Sequence, residues 1–127
     1  MLTEYPVTPG KKEEFVTRWF SDSYADLYVW YDAAGSIAGF QLCYNKDRDE
    51  HSLTWKRGSG YAHNSIDAGD DTPLSNQTPI VVPDGLCPLD TLRGKFISRA
   101  AQLPPEVRAC VLDALDPARH PELLRLI

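Results

Sequence analysis

The first half of the chain carries short β-branched and aromatic runs cut by turn residues. The last third repeats apolar residues every three or four positions. That change of period predicts strands first and helices after. The stretches DLYVWYD (26–32), IAGFQLCYN (37–45), HSLTWKR (51–57) and YAHNSID (61–67) read as an antiparallel meander. Asp32-Ala33-Ala34-Gly35 fits a type I turn closed by a glycine able to take positive φ. Gly58-Ser59-Gly60 reads as a second short loop.

Upstream, residues 1–10 contain two prolines and a glycine and predict an irregular lead-in, followed by a solvated charged patch at 11–14. Residues 15–21 suit either a helix, with Phe15, Val16, Trp19 and Phe20 on one face, or a strand. A strand pairing with 26–32 is expected, because only a short segment separates the two. The strands at 26–32 and 37–45 are apolar on both sides and are expected to be central, with something covering each face. The Asp32–Gly35 turn sets Gly39 across from Val29, where a glycine makes room for a large neighbour or a close backbone. Residues 51–57 alternate His51, Leu53, Trp55 and Arg57 against Ser52, Thr54 and Lys56, so one face should be buried and one wet. The more polar 61–67 belongs towards an edge.

Residues 68–87 hold three prolines and little periodicity, so they predict a connection with at most a short edge strand at 80–82. Leu89, Leu92, Phe96, Ala100 and Leu103 then mark one helix, ended by Pro104-Pro105. Val107, Cys110, Val111, Ala114 and Leu115 mark a second, with Pro105 in its first turn and Asp116-Pro117 as its stop. A last short helix is expected over 121–126. The expected class is α+β: an antiparallel β-meander of four to five strands, then C-terminal helices packed on one sheet face. One domain spanning 1–127 is expected, with the sheet at 15–67, the connection at 68–87 and the helical part at 88–127.

Composition narrows the function classes. A formal net charge of -5 leaves no basic excess to displace counterions from phosphates, so neither nucleic acid nor an anionic membrane is an expected partner. No apolar run reaches membrane-spanning length and no signal peptide is read, which predicts a soluble, cytoplasmic protein. Cys43, Cys87 and Cys110 are odd in number and far apart, as reduced thiols would be. Cys43 falls mid-strand in apolar company and is expected to be inert. The apolar chain end, Leu123, Leu124, Leu126 and Ile127, suggests docking on its own domain or on a second copy, a homo-oligomer.

The chain has no phosphate loop, dinucleotide fingerprint, zincin helix, nucleophile elbow or calcium loop. The acids around Asp67-Ala68-Gly69-Asp70-Asp71 lack calcium-loop spacing and read as an acidic turn. No metal site or cofactor is assigned. One constellation carries chemistry. If Gly58–Gly60 is the whole loop, Arg57 faces Tyr61, Trp55 faces His63 and His51 faces Asp67, all on one wet face. His51, His63 and Asp67 are then the acid–base candidates, and Trp55, Arg57 and Tyr61 the ligand-binding ones. Trp19, Tyr28, Trp30, Phe40, Tyr44 and Trp55 are otherwise assigned to the core. Without a readable nucleophile or cofactor motif, the sequence favours a non-catalytic binding module, for a small molecule or protein at the sheet face. A small hydrolase or isomerase using a His/Asp pair is the alternative.

Overall fold

The computed structural model describes residues 1–6, 16–46, 50–65, 82–83 and 88–121. Among the described residues, seven strands form one antiparallel sheet: β1 (Thr3–Tyr5), β2 (Val16–Ser21), β3 (Ala25–Tyr31), β4 (Ile37–Tyr44), β5 (His51–Lys56), β6 (Gly60–Ser65) and β7 (Val82–Pro83). Two helices follow, α1 (Leu89–Arg99) and α2 (Pro105–Ala114). The strands lie side by side in chain order, so every neighbour in the sheet is also the neighbour in sequence. This is the expected α+β arrangement with more strands than the sequence suggested.

The added strands sit at the edges. The expected irregular lead-in is instead β1, whose Thr3, Glu4 and Tyr5 pair with Ser21, Phe20 and Trp19 of β2. Leu2 beside it is buried, and its amide donates to the Arg99 carbonyl at the end of α1. Glu4 also forms an ion pair with Arg18 of β2 and Tyr5 meets Trp19, but so short and mixed a run has too little apolar pattern to announce a strand in sequence. The expected edge strand at 80–82 is found at Val82–Pro83, pairing with Ser65 and Asn64; residues 80 and 81 lie outside the described residues. So do Cys87, the patch at 11–14, the acidic turn from Asp67, and the tail with Leu123, Leu124, Leu126 and Ile127.

The turns follow local chemistry. Asp32 accepts the Ala34 and Ser36 amides on its side chain, and its carbonyl accepts the Gly35 amide, with Gly35 at φ 83°. Just beyond, a bulge changes the β3–β4 register. Tyr31 faces Ile37, yet Trp30 faces Gly39 and Val29 faces Phe40. Gly39 therefore lies across from Trp30, not Val29. The expected reason for a glycine holds: a Cβ at 39 would meet the Trp55 carbonyl at 2.5 Å and Trp30 Cε3 at 3.3 Å.

The helices cover one face. Phe20, Leu27, Val29, Phe40, Leu42 and Leu53 point into it, against Leu92, Phe96, Val107 and Val111. Each such side chain contributes roughly 1.5–3 kcal/mol by leaving water. Helix α1 stops at Arg99, five residues before Pro104-Pro105, but Ala100 and Leu103 still reach the core. Pro105 opens α2, where its missing N–H costs nothing. At the far end of the sheet, Arg99 reaches Asp22 in the β2–β3 turn at 2.9 Å and fastens α1 to it.

The other face is not the core it was expected to be. Trp19, Tyr28 and Trp30 point away from the helices and remain half exposed, with Tyr5 more exposed still. Trp19 stacks on its cross-strand partner Tyr28 at 6.2 Å and donates its indole N–H to Asp26. Asp26 also accepts from Lys46 at 3.1 Å.

Candidate functional site

Two places concentrate chemistry, one on each face of the sheet. The first grows from β4, β5 and β6. Tyr44 pairs with His51, His51 with Ser65, and Leu53 with His63. Odd-numbered residues of β5 and β6 and even-numbered ones of β4 thus share the helix-covered face. Three rings meet there. The His51 and His63 imidazoles stack at 5.4 Å and 11°, and Tyr44 lies 5.8 Å and 6.0 Å from them. Tyr44 Oη and His63 Nε2 share a hydrogen bond of 2.5 Å, its donor set by the imidazole tautomer. His51 is 8% exposed, His63 3% and Tyr44 1%.

The expected register and solvent exposure both need correction here. Trp55 faces Tyr61, not His63, and His51 faces Ser65, not Asp67, which lies outside the described residues. The β5–β6 loop is Arg57-Gly58-Ser59, with Ser59 N–H bonded to the Lys56 carbonyl. Gly58 takes φ 81°, as the third position of a type II turn requires, and Gly60 belongs to the strand at φ 91°. The shift is two residues, so every side chain keeps its face while changing its partner. That face is the inside. The helices lie over it, and the histidines expected in water are buried.

Trp55 and Tyr61 also take up packing roles. Trp55 packs on Phe40 at 5.9 Å. Tyr61 donates its hydroxyl to the Ala114 carbonyl at 2.7 Å, satisfying an acceptor left over at the end of α2. Its ring also meets His120 edge-on at 5.9 Å. His120 in turn lies 3.0 Å from Asp113. Arg57 alone of the ligand-binding candidates is in the open. Its guanidinium donates to Asp32 Oδ2 at 2.7 Å and to the Ile37 carbonyl, tying the two hairpin turns together. Arg57, followed by the Ser36 and Ala34 amides, holds the Asp32 carboxyl below the usual carboxylate range.

Arg57 leads to the second place. A cleft of about 450 Å³ opens at the hairpin end of the sheet, lined by Trp30, Ala38, Lys56, Arg57 and Ser59. Two of its lining residues, Trp30 and Lys56, belong to the cross-strand row Thr17, Trp30, Gly39, Lys56, Gly60. Gly39 stands between them, with Trp30 Cε3 lying over it, 3.3 Å from where a Cβ would be. The sequence reading put Trp30 in the core and gave Lys56 no role. The signal for both was Gly39, whose partner was misassigned because a bulge cannot be seen in the turn residues.

At the opposite end of the same face, Cys43 lies between Asp26 and Ser52. Burial, then the Glu50 and Asp26 charges, push its thiol up to about 12, well away from nucleophile chemistry. Burial and Asp26 likewise raise the Glu50 carboxyl, against Lys46. Among the described residues, no three His, Cys, Asp or Glu side chains are placed to hold a metal ion. No described helix is long and apolar enough to cross a membrane. No protein-family model, curated protein or solved structure matches the chain.

Proposed function

We propose that this chain is a non-catalytic binding module and that its ligand seat is the Trp30 cleft. One observation carries the reading: the sheet face turned away from α1 and α2 keeps a half-exposed tryptophan at the rim of a cleft with basic and hydroxyl groups around it. Seats for small molecules combine concave, apolar or aromatic surface with a few placed polar groups, in volumes of roughly 300–1,000 Å³. The acid–base reading has less support, because His51 and His63 lie beneath the helices, away from any substrate approaching this face. Nucleic acid is not among the proposed partners, given the net charge of -5.

The test is a small-fragment screen followed by amide and indole NMR. Binding fragments should shift the Trp30 indole N–H together with the Lys56 and Ser59 amides, and Trp30→Ala should remove the response. Fragments that shift only His51 and His63 would overturn the cleft as the seat. Turnover of a substrate that is lost in His63→Ala would restore the enzyme.

A further inference from the structure

Resting on that reading, we propose that the cleft is built for a small anion with a flat aromatic body, its ring against Trp30 and its carboxylate at Lys56. The argument starts from charge. Lys56 and Arg57 both line the cleft, in a chain whose net charge is -5. Arg57 is already committed to Asp32 at 2.7 Å. Lys56 is exposed and makes no ion pair among the described residues, so the uncompensated positive charge of the cleft sits there. A cationic ligand is repelled by Lys56. A neutral apolar surface would cover Lys56 without supplying a counter-charge, which costs more than it returns.

Shape points the same way. Gly39 separates Trp30 from Lys56 in the row and contributes no side chain, and Gly60 flanks Lys56 on its other side. The Trp30 ring edge comes within 3.3 Å of where a Cβ at 39 would stand, so the indole lies down over Gly39 towards Lys56. A planar ring fits beside it, because aromatic pairs prefer offset or edge-to-face contacts at 4.5–7 Å between centroids. The Ser59 hydroxyl, also at the rim, can donate a further hydrogen bond to a carboxylate oxygen.

The probes are 2-naphthoate, its neutral amide 2-naphthamide, and acetate, each titrated into the full chain and followed by NMR at the Trp30 indole and Lys56 amide. Naphthoate should bind, weaken as salt rises, and lose about 1.5-fold to fivefold in affinity in Lys56→Gln, the range for a solvent-exposed ion pair. Naphthamide should bind more weakly and be indifferent to that substitution, and acetate should leave the indole unmoved. Equal binding of naphthoate and naphthamide, or naphthoate indifferent to Lys56→Gln, would overturn the anionic class while leaving the cleft as a seat. No naphthoate response at Trp30 overturns the inference, and if neutral fragments also fail there, the seat falls with it. Lys56 is exposed, so the variant keeps its fold, and the unchanged amide spectrum elsewhere verifies this.

Discussion

Tyr44 Oη and His63 Nε2 lie 2.5 Å apart in a part of the core closed to water, with the His51 ring stacked alongside. The hydrogen bond joins β4 to β6 across the intervening β5. Removing one partner from a buried hydrogen bond costs about 1–3 kcal/mol, because the remaining polar atom stays desolvated. Tyr44→Phe is therefore expected to lower the unfolding free energy by about that amount while leaving ligand binding at the Trp30 cleft unchanged. Urea denaturation gives the first quantity and an NMR titration the second. A loss of binding without a loss of stability would reverse the assignment of the two places.

Gly39→Ala is expected to destabilise the fold. The new methyl would stand 2.5 Å from the Trp55 carbonyl, a backbone atom that cannot rotate away. Overpacking of this kind costs roughly 1–3 kcal/mol. Thermal unfolding should show a lowered midpoint, whereas a neutral substitution would mean that β4 and β5 part more easily than the sheet implies.

Asp22 makes stability fall in acid. Burial pushes its carboxyl up, but the Arg99 guanidinium and the Ala25 and Tyr24 amides outweigh this, and the folded-state pKa is lowered. A group lowered on folding stabilises the protein above its unfolded pKa, about 3.9 for Asp, and loses that contribution as pH falls through the folded value. The stability difference between wild type and Asp22→Asn should thus be full at pH 7 and shrink below pH 4. Urea titrations of both proteins at pH 7 and pH 3 test it; a difference unchanged at pH 3 would exclude Asp22 as the source.

Cys43 should resist thiol reagents at pH 8, because its thiol, pushed up to about 12 chiefly by burial, stays protonated. Peptide mapping after brief treatment with iodoacetamide should find Cys43 unmodified in the native protein and modified in urea. Rapid native labelling would show that the sheet face opens at that end.

The helical stripes and the alternation of residues 51–57 were legible because they are local patterns of side-chain polarity. The failures each came from something non-local. A bulge after Tyr31–Ile37 moved Gly39 from Val29 to Trp30, and no residue in the turn encodes it. In the β5–β6 loop, both glycines take positive φ, and either could have been the turn glycine. Choosing the wrong one displaced His63 by two residues but, by the strict period of a strand, not to the other face. Which face the helices would cover could not be read at all. Both faces of β3 and β4 are apolar, and the choice is made by α1 and α2 packing on the Phe40, Leu42 and Tyr44 side.

The strands are laid down in the order in which they are synthesised, so each can dock on its predecessor as it emerges from the ribosome. Contacts of this kind are short in sequence and quick to form. Contacts to the helices come later, and Leu2 waits longest in sequence for α1. It emerges before any strand that follows it, yet its amide waits for the carbonyl of Arg99, and its side chain for the core that α1 completes. The meander can therefore assemble vectorially, with β1 paired to β2 before α1 is made to close over Leu2. The flank of the first described strand is thus closed by a residue made 97 positions later.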